Sequence, residues 1–139
     1  MVAGMKWTVA VLVLGLLLWA GLASAIPGGL EPADVNSEEV QEAARFALGV
    51  YNRGTNDIYL SKIVEVLSAE SQLVQGMLYH VRMALRRTNC RKAAGQNVDL
   101  ESCSFQEDQR NGATVVCTFE VWDQPWISQK EVRASRCVL

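Results

Sequence analysis

The chain has 139 residues, 13 Lys+Arg against 15 Asp+Glu for a formal charge of −2, and four cysteines. That length holds one domain with a modest core and is too short for two once an N-terminal leader is removed. The slight acidity argues against a nucleic-acid partner, since phosphate binding normally shows as a basic face.

Residues 1–25 read as a secretory signal peptide. Lys6 precedes an apolar run from Val9 to Leu14, then Gly15 and Leu16 to Ala20, and the segment closes on Ala23-Ser24-Ala25. Those small residues fit signal peptidase cleavage between Ala25 and Ile26. Gly15 and Gly21 break the run and Pro27 follows it, which disfavours a single-pass anchor. The expectation is a secreted, extracellular protein with no membrane segment after cleavage and one domain over 26–139. Lys6 is the only charged residue removed, so the mature chain is slightly more acidic.

Ile26 to Pro32 is rich in Pro and Gly and reads as irregular. Asn36 or Ser37 caps a helix starting near Glu38, with Glu38 and Glu39 at its positive end. Val40, Ala43, Ala44, Ala47, Val50 and Tyr51 recur at three- and four-residue spacing, one apolar stripe. Arg53-Gly54 should end it, with glycine in a left-handed cap.

Ile58 to Ser71 is β-branched and reads as a strand whose apolar pairs Ile63-Val64 and Val66-Leu67 predict a bulge. Met77, Tyr79, Val81, Met83 and Leu85 then alternate with a more polar set, the period of a strand with one buried face. After the Asn111-Gly112 turn signal, Val115, Cys117, Phe119 and Val121 repeat the pattern, and Ile127 to Val138 reads as a last strand. Residues 88–112 are expected to be a long irregular excursion, and Arg86, Arg87, Arg91 and Lys92 a solvated strand end rather than a polyanion site. One helix followed by about four antiparallel strands is an α+β layout, the sheet's apolar face packed on the helix stripe.

Cys90, Cys103, Cys117 and Cys137 lie in the C-terminal half, and in a secreted chain oxidation is the default. Four cysteines allow three connectivities; the sequential one closes two short local loops. Zinc would want a C-x₂₋₄-C spacing, which is missing, so no metal or cofactor is expected. The single histidine, His80, falls on a polar strand face without catalytic partners placed near it, and no cysteine is left as a nucleophile once both disulfides form. The chain reads as a binder and not an enzyme. Gln72-Leu73-Val74-Gln75-Gly76 sits at one hairpin tip and Pro125-Trp126 at another. Apolar anchors on short rigid hairpins bring contact area at little ordering cost.

With these residues the chain resembles a secreted type-2 cystatin. Gln72-Leu73-Val74-Gln75-Gly76 fits the family's Q-x-V-x-G loop, Pro125-Trp126 its second loop, and Gly28, at its spacing before Phe46, the N-terminal glycine. The order and spacing of the cysteines match as well. The resemblance implies a helix on a four- to five-stranded antiparallel sheet, with Cys90–Cys103 and Cys117–Cys137 paired. It implies a reversible, tight-binding inhibitor of papain-like cysteine proteases of the cathepsin type. Ile26, Pro27, Gly28 and the two loops would form a non-covalent wedge in the enzyme's cleft. Relatives usually carry a longer tail with aliphatic residues before this glycine than Ile26-Pro27, and the runner-up is an inhibitor that leans on its two loops, with weaker affinity for enzymes that need the tail. Thr55-Asn56-Asp57 resembles the S-N-D turn by which some secreted cystatins inhibit legumain, with Asn56 as the specificity residue. A monomer is the expected state. The alternative is a cystatin-fold binding or carrier protein without inhibitory activity, against which the two intact tips speak.

Overall fold

The computed structural model describes residues 29–92, 98–107 and 113–139. The leader, Ile26, Pro27, Gly28 and the Asn111-Gly112 turn signal lie outside the described residues. In chain order come strand β1 (Glu31–Pro32), helix α1 (Glu38–Gly54), strands β2 (Tyr59–Leu73) and β3 (Met77–Arg91), a 3₁₀ turn at Leu100–Ser102, β4 (Val115–Gln124), a 3₁₀ turn at Pro125–Ile127, and β5 (Gln129–Val138). The five strands form one antiparallel sheet in the order β1-β2-β3-β4-β5.

The helix starts where a capping residue satisfies its first free amide: the Ser37 hydroxyl accepts from the Val40 N–H at 3.3 Å, so Ser37 rather than Asn36 is the cap. Its buried face is Val40, Ala43, Ala44, Ala47 and Leu48. The alanines let the helix lie close on the sheet, over Ala69 from β2, Tyr79, Val81, Met83 and Leu85 from β3, and Phe119 and Val121 from β4. Tyr51 meets Phe119 edge to face, ring centroids 6.4 Å apart. Asn52 is also buried: its amide donates to the Ser61 carbonyl at 3.0 Å and accepts from the Ser61 N–H at 2.9 Å, fastening the helix to the start of β2.

Several expectations are corrected. Gly54 is not a left-handed cap; the cap is Thr55, in extended backbone, whose N–H bonds to the Tyr51 carbonyl. Glu31–Pro32 is regular after all, a two-residue edge strand, the place where a proline without an N–H is tolerated in a sheet. β3 continues to Arg91, so the excursion begins later than residue 88. The basic cluster is not simply solvated. Arg87 Nε donates to Asp57 Oδ2 at 2.6 Å, Arg86 Nη2 to the Gln106 carbonyl at 2.8 Å, Lys92 Nζ to the Thr55 carbonyl at 2.7 Å, and Arg91 lies over the Tyr59 ring. These side chains tie the end of β3 to its neighbours in the fold.

The bulge in β2 is double. Register jumps between Ile63 and Glu65 and between Val66 and Leu67's successor Ser68 leave Val64 and Leu67 as the extra residues. Ile63 and Val66 face the core, while Val64 and Leu67 are exposed. Both disulfides are formed, Cys90–Cys103 and Cys117–Cys137, and no cysteine is free.

Candidate functional site

Leu73 and Met77 pair across the β2–β3 hairpin, so Val74, Gln75 and Gly76 alone reverse the chain. A connection this short needs left-handed backbone, found at Gln75 (φ 43°) and Gly76 (φ 114°). The Val74 N–H closes the turn on the Gly76 carbonyl at 2.9 Å. Leu73 is 67% exposed and Gln75 also faces solvent, whereas Gly76 is buried.

At the second tip Gln124 pairs with Gln129, and Pro125–Ile127 make one 3₁₀ turn between them. Proline suits the first position, where its missing N–H has no partner to lose. Ser128 takes left-handed backbone (φ 50°) and returns its N–H to the Pro125 carbonyl at 3.1 Å. Trp126 is left 62% exposed and Ile127 50%. An indole that bare holds no place in the core.

Because β3 lies between β2 and β4, with Met77 opposite Asp123, both hairpins end at the same edge of the sheet. There they touch. A Cβ built on Gly76 would stand 2.5 Å from the Asp123 carbonyl oxygen and 3.2 Å from the Trp126 ring. The Trp122 indole N–H donates to the Val74 carbonyl at 3.0 Å, a bond from β4 into the first tip. β1 runs antiparallel to β2, Glu31 opposite Ser71 and Pro32 opposite Glu70. Gly29 and half-exposed Leu30, upstream, therefore head toward that same edge. Beneath the tips Tyr79 is buried, and its phenol pKa is raised above the ordinary 10.0 by burial first, then by Asp123, Glu39 and Glu42.

Asn56 stands apart, at the far end of β2. It is exposed between two fastened neighbours. Lys92 Nζ donates to the Thr55 carbonyl at 2.7 Å and hydroxyl at 2.9 Å, and the Lys92 backbone N–H donates to the Ile58 carbonyl at 2.9 Å. Asp57 accepts from the Tyr59 N–H at 3.0 Å as well as from Arg87.

The sequence reading missed Trp122, Asp123, Ile127 and Leu30. Trp122 lies on the sheet face opposite the helix, and its link to Val74 spans 48 positions, so no local pattern announces it. Ile127, expected to open the last strand, instead completes the turn beside Trp126, and β5 begins at Gln129.

Two adjoining tips carry bare Leu73, Trp126 and Ile127, an exposed apolar surface at one end of the sheet. All four cysteines are bonded, His80 Nδ1 lies 3.5 Å from Glu120, and among the described residues no three His, Cys, Asp or Glu gather as metal ligands. Residues 28–126 match the family described as Cystatin domain. The cystatin of Gallus gallus is 38% identical over 128 residues, 92% of this chain and 90% of the relative. Cystatin-2 of Crotalus adamanteus is likewise 38% identical, covering 92% of each. Among solved structures, dimeric human cystatin F superposes with a TM-score of 0.73 at 33% identity, over 82% of this chain and 89% of that one. The chain belongs to the cystatin family, of the type-2-like kind. Cystatins are protease inhibitors and not enzymes, and its role is that of a cysteine protease inhibitor.

Proposed function

We propose that the chain is a secreted, tight-binding and reversible inhibitor of papain-like cysteine proteases of the cathepsin type, acting as a non-covalent wedge. Ile26, Pro27 and Gly28, the Gln72–Gly76 tip and the Pro125-Trp126 tip are its contact elements. The observation that carries this reading is the meeting of the two tips at one sheet edge, with Leu73 and Trp126 bare and Gly76 packed between Asp123 and Trp126. Such a ridge reaches both walls of a cleft without offering a scissile bond, and its rigidity lowers the ordering cost of binding. β1 supports the third element, because its register sets Gly29 and Leu30, the described residues that precede it, toward the same ridge. Residues 1–25 supply the export signal, cleaved between Ala25 and Ile26, and the protein works as a monomer.

The test is titration of active papain with the mature protein. Stoichiometric, reversible inhibition with the chain recovered intact is expected; absence of inhibition, or steady cleavage of the tips, would overturn the reading.

A second reading concerns Asn56. Its exposure between Thr55 and Asp57, both held by side chains from the end of β3, favours a rigid presented asparagine and supports a legumain site. Inhibition of legumain by the wild type tests it, and failure there returns Thr55-Asn56-Asp57 to a helix-ending turn.

A further inference from the structure

We propose that Trp122, with Arg133 against its indole face, is a positioning residue that holds the Gln72–Gly76 tip in its binding shape and locks it to the Pro125–Ile127 tip. The inference rests on the reading of those tips as protease contacts.

The brace matters at the three residues that connect β2 to β3, Val74, Gln75 and Gly76. These make one turn-closing bond, from the Val74 N–H to the Gly76 carbonyl, while two successive residues hold left-handed backbone. Left at that, the Val74 carbonyl would face water and the turn would be free to exchange with others, since Gln75 holds a conformation that residues with side chains adopt only sparsely. The indole changes this. Trp122 stands opposite Leu78, which itself stands opposite Gln72, so the three share one row across β4, β3 and β2. From there its Nε1–H reaches the Val74 carbonyl at 3.0 Å. Among the aromatic side chains of strands, only one with a ring N–H makes this bond; phenylalanine lacks any donor and tyrosine carries its donor on the ring's far end.

Arg133 fixes the ring from the other side. In the β4–β5 register Val132 pairs with Val121 and Ala134 with Glu120, so Arg133 is the extra residue of a bulge. A bulge re-aims the side chain it carries, and the Arg133 guanidinium carbon lies 5.1 Å from the centre of the Trp122 ring. Arg133 of β5, Trp122 of β4 and Val74 of the β2–β3 turn thus form one chain of contacts. The Gly76–Trp126 approach closes it on the second tip. When the brace is lost the free tip populates other turns, and the apparent affinity falls by the fraction still in the binding shape.

The test replaces Trp122 by β-(3-benzothienyl)alanine, which keeps the bicyclic shape and removes only the N–H, beside Trp122→Phe and Arg133→Met. Amide hydrogen exchange at Val74, Gln75 and Gly76 and papain binding rates are measured on the full mature protein. Faster exchange confined to the tip is expected, with papain inhibition weakened roughly three- to tenfold, the size of one lost neutral hydrogen bond. Arg133→Met should act in the same direction and less strongly. Unchanged exchange in the benzothienyl variant overturns the brace. Faster exchange with unchanged inhibition overturns its role in binding. If the wild type does not inhibit papain, the functional reading fails, while the exchange comparison still decides whether Trp122 holds the tip.

Discussion

At the scale of single residues, Gly76 carries the tightest constraint. Its φ of 114° suits glycine alone, and an added Cβ would press on a backbone oxygen 2.5 Å away that has no rotamer to escape into. Gly76→Ala is expected to lower stability by about 1–3 kcal/mol, the cost of a strained backbone site, and to weaken papain inhibition at least tenfold as a rough figure by displacing the Trp126 tip. Urea unfolding and inhibition of the same preparation check both. In sequence the glycine stands only as the last residue of a hairpin tip, in a loop that the family resemblance assigns to enzyme contact. The neighbour it first accommodates is its own second tip, and nothing local encodes a contact between residues 76 and 123. Tyr79 gives a pH prediction. Its folded-state pKa is raised while the unfolded chain titrates near 10.0, so above that pH the unfolded state loses its proton first and stability falls as pH rises toward the folded value. Tyr79→Phe should flatten the stability profile above pH 10 in this window, measured as denaturation midpoints at pH 9 and above; an unchanged slope would assign the alkaline loss to other groups.

At the scale of elements, β2 is the most legible in sequence and β1 the least. Each apolar pair of β2 is one core residue followed by one bulge residue, a pattern visible in sequence because a strand facing one core has no use for two consecutive apolar side chains. Ile63→Thr and Val66→Thr, which place a hydroxyl against the core, should each lower stability by roughly 1–3 kcal/mol. Val64→Thr and Leu67→Thr, at exposed bulge positions, should stay within about 0.5 kcal/mol. Chemical denaturation of the four variants decides it, and equal losses would mean that the bulges do not separate the two roles. The helix stripe and the alternation of β3 and β4 are legible for the same reason, since each is a local period tied to burial, whereas the cap is legible only as a choice between Asn36 and Ser37. β1 was hidden because two residues with a proline show no period; their strand character comes from Ser71 and Glu70 across the edge. The basic residues at the end of β3 looked solvated because sequence does not place Thr55, Asp57 and Gln106 beside them. Gly54 stays inside the helix, which ends instead on Thr55 in extended backbone with its N–H on the Tyr51 carbonyl, while Lys92, just past β3, takes the Thr55 carbonyl.

On the scale of the whole molecule, the two proposed contact surfaces sit at opposite ends of one strand. Asn56 precedes β2 and the Leu73 tip ends it, and 15 residues at about 3.3 Å each, shortened by two bulges, separate them by roughly 40 Å. Substitutions that far apart and without a shared partner add in free energy within about 0.5 kcal/mol. Trp126→Ala strips a bare anchor from the ridge and should cost about 2 kcal/mol or more in papain binding. The same change removes little buried area, since Trp126 is 62% exposed, and should leave the melting temperature nearly unmoved. Asn56→Ala should do the converse. A pocket built to hydrogen-bond an asparagine amide leaves its own polar groups unpaired when the amide is gone, so legumain inhibition should be abolished while papain inhibition stays within a few-fold, about 1 kcal/mol. The double variant should then show the sum of the single losses against each enzyme. Damage to both activities by either single change would mean a shared folding defect and would remove the case for two surfaces. A large fall in melting temperature with papain inhibition intact would return Trp126 to the core.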